Sequence, residues 1–287
     1  MRQQDIDEII TRFGPAKWIE GNMGNIPSEG WFLLEINPLP PKEELPLVVS
    51  DIEQDRELEV IQGQVRHYCT CPYTDHPLSP EVQRAVRSVK EQTFTVAVHP
   101  GMGEYYSDQP LAIALDPVIN YEKYPDHPHL NIGNYVVLNR QRAFIPDSFC
   151  YMKDIATLVK DPKDRLIQAF AVISIWLLRH MVWLETRKYL SKGMWIGPEG
   201  EPLRPHQFPA ILNPNGMCRC GSSKRYRQCH LGQDLSSIYQ PGFPVASGMQ
   251  NEYQRLVHLS NDWHNQRKKP QDYFYSQMKQ MRQMQTQ

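Results

Sequence analysis

The chain has 287 residues, of which 40% are hydrophobic and 22% charged, with a formal net charge of -1. That is enough apolar material for one large or two ordinary domains, and it excludes a disordered or collagen-like chain. No run reaches the roughly eighteen uninterrupted apolar residues of a membrane span, and the start MRQQDIDEIITRF lacks a basic and then apolar secretory pattern, so a cytoplasmic protein with no membrane partner is expected.

The near-neutral total hides a gradient. Residues 1–66 carry thirteen acidic against six basic side chains and residues 201–287 carry five acidic against eleven basic, a swing from -7 to +6. A positive end of this kind fits an acidic protein partner, nucleic acid, or an ordinary solvated surface.

Along the chain, Ile6, Ile9, Ile10 and Phe13 recur at three- and four-residue steps, which predicts a short amphipathic helix over residues 5–13, stopped by Gly14 and Pro15. Strands are predicted over residues 31–37, 45–49, 57–61, 94–99 and 111–115, and a helix over 79–92 with Pro80 in its first turn. Residues 117–147 are rich in turn formers; only 135–138 reads as a strand, and the remainder is expected to be an ordered, functional loop region. The best helix follows, with Asp161 to cap it, Pro162 at its first position and Asp164 in its first turn. Leu166, Phe170, Ile173, Leu177, Met181 and Leu184 keep one stripe, widened by Val172, Trp176 and Trp183. Ended by Gly193, it would span roughly 28 residues and about 42 Å. A proline-bearing linker then leads to a cysteine cluster, and a polar, basic, helix-permissive tail begins near Met249, with its last residues expected to fray.

Six cysteines are too few for a disulfide scaffold, and in a reducing compartment their spacing reports metal or thiol chemistry. They form three groups: Cys69 with Cys71, Cys150 alone, and Cys218, Cys220 and Cys229 together. The last group lies with His230 inside thirteen residues. Four soft or borderline donors are what a closed, tetrahedral zinc site needs, and Gly221 permits the tight turn between them. His67, Cys69 and Cys71, with His76 nearby, could form a second metal site or a redox pair, but with no second thiol pair to close a tetrahedron a cysteine-bearing strand end is the preferred reading.

The run Cys218-Arg219-Cys220-Gly221-Ser222, followed by basic residues, Tyr226 and Cys229-His230, resembles the SEC-C motif, a small zinc knuckle. The resemblance implies zinc held by Cys218, Cys220, Cys229 and His230. In the motif's setting at the end of a protein-export motor, the knuckle docks a chaperone. Arg219, Lys224, Arg225 and Arg227 ring it with positive charge, as a docking surface for an acidic protein or nucleic acid or as the solvated rim of a stabilising clip.

By residue type alone, Tyr124-Pro125-Asp126-His127-Pro128-His129, Cys150 and the long helix are a His-rich loop, a lone thiol and a brace. A cysteine between Phe and Tyr is more often a buried small hydrophobe than a nucleophile. In order, however, His127-Pro128-His129, Cys150, Trp176-Leu177 and Gly193-Met194-Trp195-Ile196-Gly197-Pro198 resemble the divergent bacterial branch of the ubiquitin-conjugating family found in antiphage operons of the CBASS type. The resemblance covers residues 1–200 and implies an α+β fold, an antiparallel meander sheet with flanking helices. It further implies that Cys150 accepts an activated carrier or protein C-terminus as a thioester, for transfer to a lysine amine. His127 would orient the turn, and His129 would donate to the oxyanion or order the loop. Asp147 and Asp154 are the candidates to deprotonate the amine. Twenty residues separate His129 from Cys150, so an insertion near 133–143 should loop out.

The expected plan is a ubiquitin-conjugating-like domain over 1–200, a linker over 201–212, the knuckle over 213–232 and a helical basic tail over 233–287. No Gly-rich phosphate cradle or Walker-type lysine is present, so a separate activating enzyme or a pre-activated partner must supply the acyl donor. The resemblance to proteins of such operons implies a nucleotide-second-messenger synthase as a partner. A non-catalytic adaptor binding protein through both domains, and a zinc-knuckle protein binding nucleic acid through the basic end, are the alternatives.

Overall fold

The helix at the N-terminus, α1 (Gln3–Phe13), buries Ile6 and Ile9, the residues whose spacing predicts it. It leads into β1 (Ala16–Glu20) and β2 (Gly30–Ile36). The small hairpin β3 (Leu58–Ile61) and β4 (Gln64–His67) comes next, then β5 (Phe94–His99) and β6 (Leu111–Asp116). The sheet order is β1-β2-β5-β6, antiparallel throughout, so a meander forms once the β3–β4 hairpin is set aside. The computed structural model describes residues 1–13, 16–38, 58–61, 64–67, 84, 88–101, 109–124, 127–138, 140–151, 160–188, 193–195, 215, 218, 222–231 and 249–285, with the backbone alone at 58–61, 64–67, 249–264 and 284–285. The strand expected over 45–49 lies outside these residues, and of the helix expected over 79–92, Arg84 and Ser88 are helical.

The chain divides into two units, one of Met1–Asn22, Ser28–Pro117 and Phe149–Gly200, the other of Met23–Pro27, Val118–Ser148 and Glu201–Gln287. The first holds the meander and the long helix α2 (Pro162–Thr186). Asp161 caps α2 as its position predicts, accepting from the amides of Lys163 and Asp164, both at 3.0 Å. Phe170 packs edge-on against Phe13 at 4.9 Å and Phe32 at 5.6 Å, laying α2 and α1 on the Phe32 face of the sheet. Arg12 with Asp164 and Lys163 with Glu8 join the two helices at the surface, where such pairs add little stability. By length and composition α2 could cross a membrane, but 72% of its most apolar stretch is buried inside the protein, as befits a core helix.

Three features depart from the sequence reading. β1 carries no strand signal in the sequence, because only Ala16 and Ile19 of its five residues are buried and two apolar contacts make too short an alternation. The helix α2 has 25 residues and ends before Gly193. Thr186 closes it, its hydroxyl donating to the Trp183 carbonyl at 2.8 Å and accepting from the Met194 amide at 2.7 Å, which turns the chain back along the helix. Residues 117–147 hold more strand than the single one expected. β7 (Leu130–Asn131) runs beside Ser148 of β10 (Ser148–Phe149), while β8 (Asn134–Leu138) and β9 (Gln141–Ile145) form a hairpin turning at Arg140, whose φ is 63°. This hairpin covers most of the stretch expected to loop out.

In the second unit, Asn25 knits residues 23–27 to β9, accepting from the Phe144 amide at 2.9 Å and donating to the Arg142 carbonyl at 3.0 Å. The C-terminal helix α3 (Met249–Gln285) packs on β9 and, as far as Gln285, takes in residues expected to fray. Its buried stripe is Arg267, Gln271, Phe274 and Met278, spaced four, three and four apart. Gln277 accepts from the Gly24 amide at 2.6 Å. Residues 118–148, which the expected plan placed within 1–200, group with this C-terminal helix.

Candidate functional site

Cys150 sits half-exposed between two clamped neighbours, Phe149 and Tyr151, which are 1% and 7% exposed. Phe149 stacks on Trp176 with centroids 3.9 Å apart and planes 15° apart, and Trp176 stacks in turn on His180 at 5.6 Å. Tyr151 donates its hydroxyl to the Pro110 carbonyl. The backbone is therefore pinned on both sides of the thiol, and the side chain between the pins is the accessible one. A nucleophilic cysteine needs that access, since only an exposed thiolate can meet an acyl carbon.

The Gly-x-Trp piece has a steric explanation. Trp195 tilts against Trp176 at 5.7 Å, and a Cβ at Gly193 would overlap the indole of Trp183. Gly193 thus permits a close approach; it does not stop the helix. Gly193→Ala should destabilise the protein by about 1–3 kcal/mol through overpacking. A lowered denaturant midpoint with unchanged metal content is the expected reading.

In the second unit, the His-Pro-His loop is fastened from within. His127, 1% exposed, donates its amide to the Tyr124 carbonyl at 3.1 Å, and its Nδ1 accepts from the His129 amide at 3.1 Å. An accepting Nδ1 places the ring proton of the neutral imidazole on Nε2. Asn120 accepts from the Lys123 amide at 2.9 Å, and the Tyr121 hydroxyl donates to the Leu130 carbonyl at 2.6 Å. Both histidines are buried.

Asp147 requires a correction. Its carboxylate is 1% exposed, accepts from the amides of Tyr121 at 2.9 Å and Gly133 at 2.7 Å, and is ion-paired with the buried Arg267. A base for an incoming amine must be reachable, and Asp147 is enclosed; it is a structural tie. Arg267, Gln271 and Tyr275 were not singled out from the sequence, since a stripe with two polar members inside a polar tail carries little hydrophobic signal. Asp154, Arg219 and Cys220 lie outside the described residues.

Burial lowers the Arg267 guanidinium pKa, and Asp147 opposes that shift. Burial raises the phenol of Tyr275 above its ordinary 10.0, with the Asp147 carboxylate adding to it, and burial likewise raises Tyr151. The neutral phenols are favoured in the folded state, while the unfolded chain ionises them near pH 10. Their contribution is thus complete below that pH and lost as pH rises above it. Unfolding at a series of pH values from 8 to 11 should show stability falling at the alkaline end, with a shallower fall in Tyr151→Phe.

The knuckle brings three of its four expected ligands together. Cys218 Sγ, Cys229 Sγ and His230 Nδ1 lie within 4.8 Å of one another, each sulfur 3.2 Å from the nitrogen. Zinc–sulfur and zinc–nitrogen bonds at a tetrahedral angle would set that separation at about 3.6 Å, so the donors converge at close to the spacing a zinc ion needs. The Cys218 amide donates to the Lys224 carbonyl at 2.8 Å, and a 3-10 turn, Tyr226–Gln228, carries the chain to Cys229. Arg225 donates to the Asn215 carbonyl at 2.9 Å, while the side chains of Lys224 and Arg227 are exposed on the rim. The group could hold a metal ion and is compatible with zinc. Comparison of the chain with protein-family models, curated proteins and solved structures finds no match in any of the three.

Proposed function

We propose that the chain is a ubiquitin-conjugating-like acyltransferase with Cys150 as the acyl carrier. One observation supports this reading above the others. A short helix, a four-stranded antiparallel meander, a fastened His-Pro-His loop, a half-exposed cysteine between pinned neighbours and a long helix follow in the order that the family resemblance implies.

In the first step the Cys150 thiolate attacks the activated carboxyl carbon of a ubiquitin-like carrier or another protein's C-terminus; the leaving group departs and a thioester forms. In the second, an uncharged lysine amine attacks the same carbon and creates an oxyanion, which hydrogen-bond donation must stabilise. Collapse expels the Cys150 thiolate and leaves an amide, and the amine's proton passes to a base, for which Asp154 is the candidate. A separate activating enzyme charges the donor. The knuckle is a structural zinc clip held by Cys218, Cys220, Cys229 and His230, and Arg219, Lys224, Arg225 and Arg227 form a docking rim for an acidic protein. The setting is bacterial antiphage defence in the cytoplasm, with a nucleotide-second-messenger synthase as a target. A thiol-sensitive adduct with the co-encoded carrier, formed when the activating enzyme is present, is the expected result. A wild-type chain that never forms it would leave the non-catalytic adaptor.

A further inference from the structure

We infer that Arg267 of α3 is a positioning residue for the His127 to His129 loop, acting through the Asp147 carboxylate. The relevance of this to catalysis rests on the reading above; the geometry lies entirely within the second unit. One oxygen of Asp147 takes the Tyr121 amide at 2.9 Å and the other takes the Gly133 amide at 2.7 Å, so a single carboxylate ties both ends of the segment that carries the two histidines. The tie is tight at Gly133, where a Cβ would lie 2.8 Å from the Ile145 carbonyl oxygen and 2.9 Å from the Asp147 nitrogen. A longer side chain there would push the loop off its anchor.

Two amides do not neutralise an enclosed carboxylate. The compensating charge comes from Arg267, 120 residues further along the chain, which is itself buried and bound to the oxygen that holds Gly133. The stripe residues Phe274 and Met278 and the Gln277 contact with Gly24 hold α3 in register, so that the guanidinium meets the carboxylate. Gln271 and Tyr275, one and two turns on, bury a carbonyl oxygen and a hydroxyl further along the helix. A C-terminal helix that reads as a basic tail thereby becomes part of the histidine loop's scaffold.

The test uses the full-length, zinc-loaded protein and three variants, Arg267→Met, Arg267→Gln and Arg267→Lys. Site-resolved amide exchange should show Tyr121 and Gly133 losing about a hundredfold in protection in Arg267→Met, the consequence of stranding a buried charge. Amides of β2 and β5 should keep theirs. The His129 amide, which donates to His127 Nδ1 inside the loop, should lose protection in step with Tyr121, and Arg267→Lys should recover part of both effects. If Arg267→Met also loses protection in β2 and β5, Arg267→Gln, which keeps a donor for the carboxylate, is read in the same way. Wild-type protection at Tyr121 and Gly133 in the variants overturns the inference, as does lost protection there with the His129 amide unaltered. Failure of the wild type to form the thioester overturns the catalytic reading alone, since exchange still reads the tie.

Discussion

Cys150→Ala is expected to abolish the carrier adduct, with residual acyl transfer reduced on the order of 10⁴-fold or more, as for removal of a nucleophile that acts as one unit with its surroundings. Cys150→Ser should convert any adduct to one that resists thiols, because an oxygen ester replaces the thioester. Neither change should unfold the protein, since the side chain is half-exposed and the segment is held by the Phe149 to Trp176 stack and the Tyr151 hydroxyl. Cys69→Ala and Cys71→Ala should leave the adduct intact. Gel mobility with and without reductant, beside mass spectrometry of the modified peptide, separates these outcomes. An adduct unaffected by Cys150 substitution would discard the thioester mechanism.

The second large effect concerns the metal. The purified chain should carry about one zinc, and its removal by a strong chelator should unfold residues 213–232, because binding free energies of roughly 10–16 kcal/mol are folding free energy in so small a motif. Among the described residues of the knuckle, Cys218, Tyr226 and Leu231 are buried, beside a 3-10 turn and a few backbone hydrogen bonds. That core is too small to hold the loop without an ion. Cys218→Ser should release the zinc, measured by a chromophoric chelator, while thermal unfolding of the meander is retained. Metal analysis that finds no zinc in protein produced with adequate zinc would overturn the assignment.

Much of the first unit was legible in the sequence because its signals are local. Asp161 followed by Pro162 marks a helix start whatever the rest of the chain does, and the run Phe94 to His99 is apolar enough to be a strand on either face. β1 was less legible because two of its five positions are buried, and β9 because its buried residues, Ala143 to Ile145, form one short run without alternation; pairing with β2 and with β8 supplies what local preference lacks. The candidate site divides along the same line. The thiol, the histidines and the knuckle ligands announce themselves by residue type and spacing, and so enter any reading of the chain. The task of Asp147 is settled by a guanidinium and two amides that no spacing rule connects to it, and its sequence neighbour Cys150 suggested a base where the fold needs a tie.

The long sequence separation between Asp147 and Arg267 also governs the order in which the protein can be made. At about 5–20 residues per second, a ribosome needs roughly 6–24 seconds to add the residues between them. The strands of the meander and α2 are complete by residue 186, well before α3 has left the exit tunnel. During that interval the nascent chain carries a carboxylate without its cation, and the final closure of the second unit waits for its last helix. Closure over so long a loop is slow by topology, which makes the newly synthesised chain, more than the finished protein, the form most exposed to proteases.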